Sequence, residues 1–547
     1  MDPEVSQEAV EVVDPAGAGG DGRGGGKPAS DQRVILSNTG QNVLGLAIGA
    51  VATFAAQVIM TNRLGDGLFG VVTATTQFAF IAAAATRFGM DVANVRLVAI
   101  LAGRRQTARA RGLVRRSALI ASAVSVPFAA IAFTASGWLA DRFGSGLPNA
   151  AKPAFQAAAL TVPFAALAFT YMGATRGLKV MRYTLYSQWI AQPIGWIVLT
   201  LVCWRIVEPT AGAASFAFGA SWALAFAIAW WGWHREQLRF PAPTAAEGVP
   251  EERTRSLLRF GALRAPATLF SQLIFWTDFF VLSWLMSSRG SDGSSVVGQY
   301  GAVLRAGQSL FLFLTSVSLT FSPFVADLHH RGEREQLDGL YKQVTRWTLA
   351  ATIPLLLVLA VLAEQVLRVF GAEFTGGAPA LRILIVGMIV PVMVGTVGFI
   401  LIMAGRTGWD LVVYLVGVVI DIGLALTLAR PEQLGIRGAA TAQAVTLTFS
   451  AVARLMLVRR FLGIWPFDRD FARLLVPTVA GAAVMLSVHS ILPEAEWFVN
   501  LLGSATAGCV AYGLAVVTIG LPARERNRAG RMLAKVLGRL PSTGGGP

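Results

Sequence analysis

Charge and cysteine are both scarce in this 547-residue chain, where 14% of residues are charged and two are cysteine. Cys203 and Cys509 stand far apart in apolar segments, so neither a disulfide framework nor a metal motif can be built from them. So little charge cannot solvate the three or four soluble domains that this length would otherwise suggest. Also missing are an HExxH pair, a GxSxG elbow, a Walker loop and a Cys/His cluster, the motifs of hydrolytic, phosphoryl-transfer or metal chemistry. Loops on the side opposite the termini stay within about 20 residues, too short for the outer domain with which a membrane glycosyltransferase would hold its sugar donor. The reading is of a protein that is not an enzyme, with no catalytic residue, no metal site and no cofactor beyond a coupling H+ or Na+ gradient.

What the chain has is hydrocarbon: 54% hydrophobic residues and a mean hydropathy of +0.58. Apolar windows long enough to span a bilayer fall at 37–60, 68–88, 117–137, 156–175, 187–206, 214–233, 260–286, 298–325, 346–364, 380–404, 411–429, 438–458, 474–492 and 498–521. The fold class is therefore an all-α polytopic membrane protein with 14 transmembrane helices. The net charge of +15 would suggest nucleic acid in a soluble protein, but here it belongs to short loops. Of the 46 Lys and Arg, 33 fall on the side of the termini and 8 on the other. By the positive-inside rule both termini are expected in the cytoplasm of a bacterial inner membrane. Trp138, Trp204, Trp230, Trp231, Trp284 and Trp497 fall near span ends, as an interfacial belt requires. Residues 1–33, acidic and then glycine-rich, lack an apolar face and are expected to form a disordered cytoplasmic tail rather than a signal peptide.

The chain also echoes itself at an offset of about 226 to 231 residues. Phe69-Gly70 is matched by Tyr300-Gly301, Pro127 by Pro354, Pro163 by Pro391, Arg176-Gly177 by Arg406-Thr407-Gly408, and Phe240-Pro241 by Trp465-Pro466. The common order implies two pseudo-symmetric six-helix lobes, 34–240 and 254–466. Two further helices follow at 467–521, then a basic cytoplasmic tail at 522–547. Lobes with an even number of spans share one orientation and enclose a central cavity.

Several stretches resemble a known group. Arg63-Leu64-Gly65 followed by Phe69-Gly70, SPFVADLHHRGEREQLDGLYKQVTRW at 322–347, Val366 to Phe374, ILIMAGRTG at 400–408 and LGIRGAATAQAV at 434–445 are similar to the polysaccharide repeat-unit flippases of the multidrug/oligosaccharidyl-lipid/polysaccharide exporter superfamily. The resemblance implies inward-to-outward flipping of a lipid-linked oligosaccharide, typically on undecaprenyl pyrophosphate. Its implied partners are membrane lipids, a polysaccharide polymerase and glycosyltransferases. Asp421 departs from the pattern, since related proteins often carry asparagine there. A lipid II flippase of peptidoglycan synthesis is the nearest alternative, and a multidrug or cation antiporter a more distant one.

Charges at membrane depth are costly and usually face a cavity or a partner. At about 1.5 Å per residue, Asp278 lies roughly 12 Å and Arg305 roughly 10 Å below the outer surface on consecutive helices. Their similar depth makes a direct pair the expectation, either a static lock or a transport element. Asp421 is roughly 16 Å deep and is a candidate for coupling or gating, as is Asp278. Arg87 closes the second span with Asp91 one turn on; the resemblance implies that it meets the pyrophosphate, against simple snorkelling. Arg264, Arg382 and Arg454 lie near span ends, where snorkelling competes with headgroup contact. Together these arginines give a cationic interior suited to an anionic substrate. Asn38 and Asn42 in the first span are candidates for sugar hydroxyls. Gly45 and Gly49 read as helix packing and His489 as a surface histidine.

Overall fold

The computed structural model describes residues 28–103, 106–238, 252–330, 332–492 and 497–520. The expected tails lie outside them, except that the first helix already begins at Pro28. Helices make up the described residues, with no strand among them. Hydrocarbon explains this choice, because only a helix satisfies its own backbone donors and acceptors where no water reaches.

The first half consists of α1 (Pro28–Thr86), α2 (Met90–Gly103), α3 (Thr107–Thr134), α4 (Ser136–Phe143), α5 (Pro148–Gly177), α6 (Arg182–Ile206) and α7 (Ala211–Gln237). The second consists of α8 (Glu252–Leu273), α9 (Thr277–Met286), α10 (Gly290–His330), α11 (Arg334–Val361), α12 (Ala378–Val394), α13 (Val397–Met403), α14 (Thr407–Leu428) and α15 (Ile436–Leu462). Two more helices, α16 (Leu475–Ile491) and α17 (Trp497–Ala515), pack on each other and against α11.

Among the described residues eleven helices are long and apolar enough to cross a membrane, or twelve when the bent pair 265–273 and 277–311 counts as one span. The expected fourteen are not reached by this measure, because two stretches each carry two expected spans. In α1 the kink is at Gly65, whose φ of 72° and ψ of 176° only glycine adopts readily. In the second stretch the chain is helical almost throughout 252–330, bending by 56° after Leu273 and turning at Gly290. The expected loop at 89–116 is itself largely helical, and α2 lies so close to α5 that a Cβ at Gly173 would meet the Asp91 carbonyl oxygen at 2.3 Å. The repeat is imperfect at its prolines: α5 runs through Pro163 unbroken, whereas the expected span 380–404 stops at Val394 after Pro391 and resumes at Val397.

Small side chains set the spacing, as they must where lipid provides no hydrophobic drive between helices and close van der Waals packing does the holding. A Cβ at Gly45 would fall 2.1 Å from Leu185 and one at Gly49 2.8 Å from Trp189, so this pair packs α1 against the start of α6. Buried threonines such as Thr76, Thr161 and Thr170 return their hydroxyls to the carbonyl four residues back.

Candidate functional site

The bent stretch organises the site. Between α8 and α9, residues 274–276 leave the helix although no glycine or proline stands there. Side chains from neighbouring elements hold the freed backbone: Gln443 of α15 donates Nε2 to the Ile274 carbonyl at 3.2 Å, and Thr277 donates its hydroxyl to the Leu273 carbonyl at 2.8 Å. The break creates a helix N-terminus at membrane depth, and Asp278 occupies its first turn, where the helix dipole favours an anion.

Asp278 is fully buried and accepts a hydrogen bond from the Tyr300 hydroxyl on α10. Asp421 of α14, also fully buried, accepts from Thr446 of α15 at 3.3 Å and lies within electrostatic reach of Asp278. One oxygen of each carboxyl, Oδ1 of Asp278 and Oδ2 of Asp421, has no hydrogen-bond partner, and neither does Oε1 of Gln443. No cluster of three or more His, Cys, Asp or Glu that could hold a metal occurs among the described residues.

The expected Asp278–Arg305 pair does not form. Arg305 instead stacks its guanidinium 4.7 Å from the centroid of the Trp276 ring. It enters a cavity of about 320 Å³ between the halves. Five glutamines line this cavity (Gln57, Gln77, Gln192, Gln272 and Gln308), with rings from Phe80, Trp196, Phe218, Trp222, Phe275, Trp276 and Phe311. Among the described residues Arg305 is the one charged member of the lining. On the far side of the break lies a second, apolar groove of about 660 Å³, lined by Phe78, Phe128, Leu273, Phe280, Trp284 and Ile422 among others.

At the end of the bundle that loop charge places outside, the halves touch. Ser295 donates to the Asp66 carboxylate, with Gln299 at 3.4 Å from the same oxygen. A Cβ on Gly298 would sit 1.8 Å from the Asp66 carbonyl oxygen, so only glycine permits this approach.

The profile of the family described as Polysaccharide biosynthesis protein matches residues 35–329, more than half of the chain. The chain belongs to that family. The MatE profile matches residues 267–427 in addition. By sequence, no curated protein matches this polysaccharide biosynthesis family member significantly. Its fold is that of the MOP superfamily. An inward-facing multidrug resistance MATE transporter of that superfamily superposes with a TM-score of 0.64 at 16% identity, over 77% of this chain and 98% of its own. The lipid II flippase MurJ in an inward closed state gives 0.63 at 13% identity, over 90% and 100%. A MOP superfamily transporter from Pyrococcus furiosus, whose binding pocket is described as reversed in polarity, gives 0.60 at 15%, over 79% and 96%. This family member thus has many helices apolar enough to cross a membrane and the fold of these transporters.

In this family member the other described charges expected inside the bilayer do not line the cavity. Arg87 is buried at the end of α1, 3.4 Å from Asp91 and stacked 4.4 Å from the Phe169 centroid; it neither snorkels nor lines the cavity. Arg454 is not at the surface either: it pairs with Asp410 at 2.7 Å and stacks on Tyr414. Arg382 is half exposed and pairs with Glu364 at 3.3 Å. Among the described arginines of that set, Arg305 alone lines the cavity, and Arg87, Arg382 and Arg454 each pair with an acid of their own half. The side chains of Asn38, Asn42 and Arg264 lie outside the described residues. His489 is half-buried and shares a 2.7 Å hydrogen bond with Asn500 of α17. Sequence reading missed the five glutamines, which are spread over 252 positions and acquire meaning only when the helices converge.

Proposed function

We propose that this protein moves a lipid-linked oligosaccharide of the polyprenyl pyrophosphate type from the cytoplasmic to the outer leaflet by alternating access. The observation that carries the reading is the cavity in which Arg305 is the charged lining residue among the described residues. A guanidinium fork binds pyrophosphate bidentately and keeps its charge in a dry site. The surrounding amides and rings suit sugar hydroxyls and the apolar faces of sugar rings. The polyprenyl chain stays in the apolar groove beside the break, so the headgroup crosses in the cavity while the tail remains in hydrocarbon. The same lining disfavours a cation antiporter, which needs an acidic cavity. A lipid II substrate carries the same pyrophosphate, and the glycan distinguishes the two.

Coupling falls to Asp278 and Asp421. Uptake of one H+ or Na+ removes the repulsion between them at the N-terminus of α9, and the break ties this event to Trp276 and Arg305 two and 27 positions away. Cation binding and headgroup binding thus act on one turn of chain.

The deciding experiment is transport of a fluorescent polyprenyl-pyrophosphate oligosaccharide in proteoliposomes containing the whole chain. Arg305→Gln is expected to lower the initial rate at least tenfold at equal abundance, with Arg305→Lys between it and the unchanged protein. Full transport by Arg305→Gln overturns the reading.

A further inference from the structure

Each half of the chain carries a largely apolar groove, and the two occupy the same place in the repeat. One of about 800 Å³ runs along α5 and α7 and takes in Pro153, Gln156, Ala157 and Phe216. The other, also of about 800 Å³, runs between α12 and α15 and takes in Ile383, Val386, Gly387 and Ala444. Pro153, Gln156 and Ala157 stand 230 positions before Ile383, Val386 and Gly387 respectively, within the offset of the sequence repeat. Small residues floor both grooves: a Cβ on Gly387 would fall 2.3 Å from the Ala444 Cβ, and one on Gly212 3.4 Å from the Pro153 Cβ. Leu160, Phe216, Val445 and Val452 are exposed along the sides, a surface suited to hydrocarbon rather than water. Among the described residues neither groove shares a lining member with the central cavity or with the groove beside the break.

A cation stands at the head of each groove, again 230 positions apart. Arg382 lines the second groove, and Lys152, exposed, directly precedes Pro153 of the first. Both stand toward the end of the bundle that loop charge places outside, where Lys and Arg are scarce. The Arg382 guanidinium is about half exposed and donates to the Ala360 carbonyl at 3.4 Å and to Glu364 at 3.3 Å, which leaves further N–H donors for another acceptor. From Thr441 to Ala453 of α15 the second groove extends roughly 18 Å at 1.5 Å per residue, about the depth of one leaflet. An apolar trough one leaflet deep, with a cation at its head, matches an acyl chain that ends in a phosphate. We propose that each groove holds one acyl chain of a glycerophospholipid from the outer leaflet, its phosphate on Lys152 in the first half and on Arg382 in the second. The occupant is a lipid of the bilayer and not the transported one, because the grooves come as a repeat-related pair apart from the cavity between the halves.

The test counts bound lipids by native mass spectrometry on the detergent-solubilised full chain. Three probes are titrated: dioleoyl phosphatidylglycerol, dioleoylglycerol, which has the same chains and no phosphate, and a polyprenyl monophosphate. The unchanged protein is expected to retain phosphatidylglycerol at two sites, each at least fivefold more tightly than dioleoylglycerol. Lys152→Gln and Arg382→Gln should each weaken one of the two sites about fivefold, the worth of one cation beside a headgroup, and the double variant both. Glu364→Gln removes the carboxylate that shares Arg382 and should tighten one site, a gain that a purely structural ion pair does not give. Equal retention of the two dioleoyl lipids, or phosphatidylglycerol affinities unchanged in both charge variants, overturns the inference. Displacement of phosphatidylglycerol by an equimolar amount of polyprenyl monophosphate assigns the grooves to the transported lipid and overturns it too. A variant that loses its fold loses every lipid at once, and the comparison of the two dioleoyl lipids on the unchanged protein still decides. Arg305 takes no part in these measurements, so the flippase reading is tested separately.

Discussion

Arg305 stacks on Trp276, the last residue of the helix break, and Asp278 two positions later turns away to Tyr300 and Asp421. One turn of chain therefore carries the wall of the polar cavity on one side and the buried acids on the other. A change in the charge of the acids need move only residues 274–278 to be felt by the guanidinium.

Trp276→Leu is expected to leave Arg305 without its ring, an interaction worth about 1–2 kcal/mol when desolvated. Transport in proteoliposomes should fall several-fold at equal abundance, with Trp276→Phe recovering most of it. Equal rates for the unchanged protein and Trp276→Leu would show that the stacking does not orient Arg305.

Asp278→Asn and Asp421→Asn each remove one of two repelling charges. Neither should lower the melting temperature markedly, but each should make transport indifferent to collapse of the H+ or Na+ gradient. Tyr300→Phe acts oppositely: it strips a donor from buried Asp278, at a cost of about 1–3 kcal/mol, and should lower the melting temperature. An undiminished gradient response in both Asn variants would remove the acids from coupling.

Gly298→Ala forces a methyl group into the Asp66 carbonyl. The overpacking is expected to cost about 1–3 kcal/mol and to loosen the contact between the halves. A cysteine at Ser294, buried in the closed contact, should then react faster with a thiol reagent in Gly298→Ala than in the Gly298 background.

Arg454→Leu strands Asp410 without its cation. Breaking a buried pair on one side costs about 3–5 kcal/mol, whereas the apolar double substitution Arg454→Met with Asp410→Leu should restore most of the melting temperature. A double variant no more stable than Arg454→Leu would mean that the pair supplies more than mutual neutralisation.

Hydropathy, loop length and motif order were enough to read the class of the fold, since a bilayer admits only helices and every crossing must be apolar for about 20 residues. The Gly45–Gly49 packing face was also legible, because it depends on spacing within one helix, whereas Arg87 and Asp91 meet across the turn at 87–89 between α1 and α2. Position within an apolar run likewise marked Asp278 and Asp421, both fully buried.

What the linear chain left undecided was direction around each helix and continuity along it. The break at 274–276 carries no glycine or proline, and is held by Gln443 from a helix some 170 positions later. That break rotates Asp278 toward Asp421 and frees Trp276 to receive Arg305, so two residues expected to pair become members of different sites. The glutamine-lined cavity has the same origin. Each amide alone is an ordinary polar residue in an apolar run, and only the packing of four helices turns them toward one another. Sequence determined which charges must be buried, and tertiary structure decided which of them meet.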